Sequence, residues 1–165
     1  MAKQKQQQIV VLDNTVLTNF GLVNRADLII DLWPEIVYIT ADVLNEYRAG
    51  VQVAGLPANL WDHLPVISLS PSELALSLSL AHRLGAGERS CLAIAISRRA
   101  LCATDDEDAR RYAKRANVPV IGTVGILARN VQDHRLALED AQRLLNAMIA
   151  AGYRSSFSRL SDFFQ

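Results

Sequence analysis

A chain of 165 residues, half of them hydrophobic and 21% charged, has the composition of a globular domain and the length to bury a core without staples. Seventeen basic residues balance seventeen acidic ones, so no overall basic field marks it for nucleic acid, and such contact has to come from local patches or bound cations. Cys91 and Cys102 lie in apolar runs and read as buried thiols; no CxxC pair occurs, and His63, His82 and His134 lack zinc-ligand spacing. The start MAKQKQQQ is polar and Asp13 soon interrupts the next apolar run, against a signal peptide or anchor. No apolar stretch reaches the ~20 residues that span a bilayer. The expectation is a disordered polar tail over 1–8, one domain over 9–165 and a soluble, cytoplasmic protein.

In chain order, Ile9 to Leu12 is a continuous β-branched run, the pattern of a central parallel strand covered on both faces. Asp13 ends it, and Asn14-Thr15 opens a helix through Phe20. A helix over 25–32 stops before Pro34, and 35–39 reads as a strand. Thr40 caps a helix over 41–49, closed by Gly50. The stretch 51–64 is irregular, with a short helix between loops, and 66–69 reads as an edge strand. Ser70 and Pro71 start a helix running to Leu84, and Gly85-Ala86-Gly87 separates it from another over 88–98. A strand at 101–104, a helix at 107–116 and a last parallel strand at 118–121 follow. Gly122-Thr123 then turns into a helix through Asn130, and helices over 136–151 and 157–164 finish the chain. This alternation predicts an α/β fold, a three-layer α/β/α sandwich with a central, mainly parallel sheet.

Ligands of such sheets bind beyond the carboxyl ends of the strands. Asp13 and the pair Asp105-Asp106 fall there, and Glu46 and Glu88 sit on helices able to lean into the same crevice. Each acid has a plain alternative: Asp13, Asp105 or Asp106 as a helix N-cap, Glu46 as a partner of Arg48, Asp108 as a dipole complement. Together they repel one another unless a hard divalent cation lies between them, which points to Mg²⁺ or Mn²⁺ and to phosphoryl-transfer chemistry.

The succession VLDNTVL, VLNEYRAG, GAGERSCLAIA and LCATDDEDARRYAKRANVPVIGTVGIL, spanning Ile9 to Phe164, resembles the PIN-domain nucleases. It looks closest to the prokaryotic toxin–antitoxin type with a GE helix and a TDDxxAR segment. The resemblance implies a metal-dependent ribonuclease that hydrolyses single-stranded RNA, often a toxin held by an antitoxin protein. The family's first, second and fourth acids fall on Asp13, Glu46 and Asp106, with Asp105 the neighbouring candidate. The third, an Asp in many members, falls on Glu88. Where a Ser or Thr often follows the first acid, Asn14 stands and Thr15 comes next, so either is a candidate to orient substrate. The implied roles are Asp13, Asp106 and Glu88 on the metal, Glu46 as proton acceptor or holder of a second ion, and Arg110 or Arg111 offsetting charge on the phosphate.

Arg98, Arg99, Arg110, Arg111, Lys114 and Arg115 form the only dense basic group, a phosphate track or solvated helix faces. Tyr47, Trp61 and Tyr112 are candidates to stack on bases. The apolar helices over 74–84 and 136–151, with Leu160, Phe163 and Phe164, predict a homodimer. Two other classes compete. One is a catalytically weak module of the same fold that binds a partner. The other is an aspartate-based phosphatase, disfavoured because Thr15 stands where a second Asp is needed.

Overall fold

A computed structural model describes residues 8–165. The tail expected over 1–8 lies, Gln8 apart, outside the described residues. Four strands, β1 (Val10–Leu12), β2 (Val37–Tyr38), β3 (Leu101–Ala103) and β4 (Val120–Ile121), form one sheet in the order β2-β1-β3-β4. Every pairing is parallel. All three residues of β1 are buried, as its unbroken apolar run requires of a strand covered on both faces.

Eight α-helices stand among the described residues: α1 (Asn14–Leu22), α2 (Asp27–Ile30), α3 (Ala41–Ala54), α4 (Pro71–Ser79), α5 (Ala86–Arg98), α6 (Glu107–Arg115), α7 (Thr123–Gln132) and α8 (Leu138–Ala150). A 3₁₀ turn over Leu160–Phe164 closes the chain. The result is a three-layer α/β/α fold. Helices α3 and α4 pack on α5, while α1, α2, α8 and the closing turn gather round α7. No helix of the described residues is long and apolar enough to cross a membrane.

Several boundaries differ from the expected ones. Helix α3 runs through Gly50 and ends where Gly55 adopts a left-handed φ of 65°. Gly50 is instead the point at which Leu56 folds back, since a Cβ there would lie 3.2 Å from the Leu56 side chain. Residues 51–54 belong to α3, and the rest of the irregular stretch is turns that bury Trp61. Helix α4 stops at Ser79 because Leu80 turns extended and drops into the core, at 2% exposure. The edge strand at 66–69 reduces to one bridge, Ile39 to Val66. The terminal helix is the 3₁₀ turn, whose Leu160 belongs to the core rather than to surplus surface.

The chain leaves β1 for β2 on one side and returns to β3 on the other, so the order reverses between β1 and β3. A crevice opens at such a reversal.

Candidate active site

Leu12 pairs with Ala103, and Ala103 with Ile121, so the next residues, Asp13, Thr104 and Gly122, stand in a row at the carboxyl edge of the sheet. The backbone continues the row: Asp13 N–H donates to Ala103 C=O at 2.9 Å, and Thr104 N–H to Ile121 C=O at 2.9 Å. Asp13 is 1% exposed. Its Oδ2 accepts from Thr104 Oγ1 at 2.8 Å and from Thr15 Oγ1 at 3.0 Å. Burial pushes the Asp13 carboxyl up to about 6 from 3.8; the two hydroxyls restrain that rise, and the charge of Glu46 adds to it. Thr104 Oγ1 also accepts from Asp106 N–H at 3.1 Å, so one buried hydroxyl orders both aspartates. Asp106 caps α6, its Oδ1 accepting from Ala109 N–H at 2.7 Å.

The two glutamates arrive on α3 and α5. Thr40, the N-cap of α3, meets Ser90 of α5 at 2.7 Å in the core, and Ser90 Oγ donates to Gly87 C=O at 2.9 Å. These contacts hold the helices in register. Glu46 Oε1 accepts from Gly87 N–H at 2.9 Å, and Glu88 Oε2 from Gly85 N–H at 2.6 Å. A Cβ on residue 87 would lie 2.5 Å from Glu46 Oε2, so this approach requires glycine. The Glu88 carboxyl is pushed up to about 7, first by burial and then by the charges of Asp13, Asp106 and Glu46. The four acids therefore share one field. None of them makes an ion pair among the described residues.

A hard divalent cation suits this donor set, because buried Asp13 and half-buried Glu46, Glu88 and Asp106 gather negative charge with no basic partner among the described residues, and such an ion stabilises that charge. The side chains are not pre-assembled for it. Among the described residues no three Asp, Glu, His or Cys side chains form a group arranged to hold a metal, and Glu46 and Glu88 are turned to the amides at the start of α5.

Asp105 has a different office. Its Oδ1 accepts from Thr123 N–H at 2.9 Å and Tyr153 O–H at 3.0 Å, and its Oδ2 from Asn19 Nδ2 at 3.1 Å and the Thr123 hydroxyl. Four donors occupy the carboxylate and tie β3 to α1, α7 and the chain after α8. A Cβ on Gly122 would lie 2.6 Å from Asp105 Oδ1 and 2.7 Å from Arg110 Nη1, so glycine is required here as well. Thr15 is committed on both sides, donating to Asp13 and accepting from Asp105 N–H at 3.0 Å.

A cleft of about 760 Å³ opens beside this edge, lined among others by Asn14, Asp105, Asp106 and Arg110. Asp13, Glu46, Glu88 and Arg111 are not part of its lining. Arg111 pairs with Glu107 at 2.5 Å on the outer face of α6. The dense basic group disperses in the same way: Arg98 clamps Glu73 at 2.7 Å, and Arg110 donates to Thr104 C=O at 3.1 Å. Tyr47 and Trp61 are core residues at 1% and 2% exposure, packed edge-on at 6.4 Å, and are closed to bases. Cys91 and Cys102 are buried and free, and burial pushes both thiols up.

Sequence reasoning assigned no role in the site to Thr104, Asn19, Thr123, Tyr153 or Gly87. Thr104 had a signal, as the residue between an apolar strand and two acids. Asn19 had a weaker one, a polar residue amid the apolar positions of α1. Tyr153 had none.

No curated protein and no solved structure matches the chain. A family model described as a PIN domain matches residues 9–165, nearly the whole length. PIN domains are generally nucleases, hydrolases that act on nucleic acid. With that match and a four-stranded parallel sheet inside helices, the chain belongs to the PIN-domain family.

Proposed function

We propose that the protein is a divalent-metal-dependent endoribonuclease that hydrolyses single-stranded RNA. The observation that carries this reading is the shared field of Asp13, Glu46, Glu88 and Asp106, acids from β1, α3, α5 and the start of α6 with no basic partner among the described residues. Asp13, Asp106 and Glu88 would hold Mg²⁺ or Mn²⁺, which supplies an activated water and offsets charge at the phosphate. Asp105 is the less suited neighbour, since its lone pairs are already taken.

The chain's own part follows from the contacts. Thr104 and Thr15 hold Asp13 Oδ2, which leaves Oδ1 free of side-chain partners. Asp106 commits Oδ1 to the cap of α6 and keeps Oδ2 for the site. Glu46 Oε2 is the acceptor available for the attacking water's proton. Asn14, on the cleft wall beside Asp13, orients the strand, and Arg110 at the same wall neutralises phosphate charge. Thr15 acts through Asp13 and Asp105 rather than on substrate.

The assignment as the toxin of a toxin–antitoxin pair, acting in the cytoplasm against a protein antitoxin, rests on the resemblance of the acidic motifs. A homodimer is supported by exposed apolar residues on two helices, Leu74 and Leu78 on α4 at 52% and 64%, and Leu138 and Ile149 on α8 at 38% and 37%. A second reading, a PIN-fold binding module without turnover, is favoured by the seating of both glutamates on the start of α5.

The test is cleavage of end-labelled single-stranded RNA with Mg²⁺, Mn²⁺ or EDTA, beside Asp13→Asn. The reading expects metal-dependent cutting with 5′-phosphate and 3′-hydroxyl ends, lost in the variant. Cutting that persists in EDTA, or in Asp13→Asn, would refute it.

A further inference from the structure

The cleft beside the acids has a wall that the catalytic reading does not use. After α8 the chain runs back along the cleft, and Gly152, Tyr153, Arg154, Ser156, Phe157 and Phe163 form that wall. It is fastened in place: Tyr153 O–H donates to Asp105, Gln142 Nε2 donates to Ser158 C=O at 3.0 Å, and Leu160 N–H donates to Gln142 Oε1 at 2.7 Å. Burial and the neighbouring Asp105 charge push the Tyr153 phenol up, which keeps its proton in that bond.

The wall presents a cation and two rings. Arg154 is exposed and has no ion pair or side-chain hydrogen bond among the described residues. Arg110 lines the same cleft, its one side-chain hydrogen bond among the described residues going to the Thr104 carbonyl. Phe157 and Phe163 meet edge-on at 5.6 Å, and Phe163 is 40% exposed over Gly125, which offers no side chain to cover it. Guanidinium groups next to an exposed ring are the parts that bind an unpaired nucleotide, one by charge on the phosphate and the other by its flat face on the base.

We propose that this wall is a nucleotide subsite, in which Arg154 and Arg110 take a backbone phosphate and Phe163, backed by Phe157, stacks on the base beside the scissile bond. The subsite rests on the nuclease reading for its substrate class and selects single strands, because a paired base cannot offer its face to Phe163. Asp105 is then a positioning residue, acting through Tyr153 to set the wall against the carboxyl edge of the sheet.

The test is fluorescence anisotropy in EDTA with a fluorescein-labelled 12-nucleotide RNA and the same sequence as a duplex, over a series of salt concentrations. Wild type is expected to prefer the single strand. Arg154→Ala should weaken binding about 5-fold and reduce the log–log salt slope by roughly one. Phe163→Ala should weaken it about tenfold with the slope unchanged. If Phe163→Ala melts early, Phe163→Leu replaces it, since leucine keeps the apolar contact and loses the flat face. Equal binding by wild type and both variants, or equal binding of duplex and strand, overturns the subsite. So does a change in oligomeric mass in the Phe163 variants without a change in affinity, which would make the rings a protein contact. Cleavage in Mn²⁺ separates the two claims. A wild type that cuts while the variants bind normally removes the subsite alone. A wild type that never cuts while the variants lose binding keeps the subsite and removes the nuclease.

Discussion

Asp13 is held ionised at a cost, and that cost fixes the direction of two measurements. Its carboxyl titrates near 6 in the fold and near 3.8 when exposed, so the folded state binds the proton more tightly and stability falls as pH rises through that interval. The shift corresponds to about 3 kcal/mol lost in the metal-free protein. Glu88, raised to about 7, extends the same trend upward. Thermal melting in EDTA should therefore give a higher Tm at pH 5 than at pH 8, with Mn²⁺ recovering the lost stability at pH 8. Asp13→Asn should flatten the metal-free profile between those values, and an unchanged profile would remove the burial argument. Thr104 acts one step back, ordering Asp13 and Asp106 through a single hydroxyl. Thr104→Val should lower kcat about 10- to 100-fold, as loss of a ligand's supporting hydrogen bond does, and leave KM for RNA nearly unchanged. An equal rise in KM would place Thr104 at the substrate instead.

The elements carrying the acids are set by small, local features. Gly87 lets Glu46 reach the start of α5, and the atom an added Cβ would strike is the free end of that side chain. Gly87→Ala should therefore keep stability within about 1 kcal/mol, helix propensity even favouring alanine, while activity falls as far as in Glu46→Gln. Full activity in Gly87→Ala would mean that the seat of Glu46 is irrelevant. On the far side of α5, Arg98 grips Glu73 and its carboxylate closes the capping box of α4. Arg98 holds the Glu73 carboxyl down to about 2 from 4.5, so this contribution is complete above 4.5 and is lost as pH falls through 2. Glu73→Gln should cost roughly 2 kcal/mol by denaturant titration, below the cost of a fully buried pair because Arg98 is partly solvated. Ser70-Pro71 was legible as a helix start because capping is local chemistry. The end of the same helix was not, because Leu80 leaves it for a core contact that periodicity does not encode. Gly50 misled in the same way: it looked like a stop for α3, but Leu56, folding back from beyond Gly55, needed the space.

At the scale of the whole molecule, the order of four strands does what no single motif does. Register β2-β1-β3-β4 sets Asp13 beside Thr104 and Gly122, and the reversal between β1 and β3 opens the crevice there. The apolar run of β1 and the acids at strand ends were readable in advance, because burial and charge conflict visibly along a sequence. The link from Tyr153 to Asp105, 48 residues apart, was not readable, because only the packed fold brings them together. That link also divides two adjacent aspartates into a strut and an open carboxylate. The most direct test of the account is calorimetric titration of Mn²⁺ at pH 7.5 into wild type, Asp13→Asn, Asp106→Asn and Asp105→Asn. Wild type is expected to bind the ion, the first two variants to bind it at least tenfold more weakly, and Asp105→Asn to retain it. Identical isotherms for wild type and Asp13→Asn would show that the acids at the sheet edge do not serve a cation, and the nuclease reading would lose its foundation.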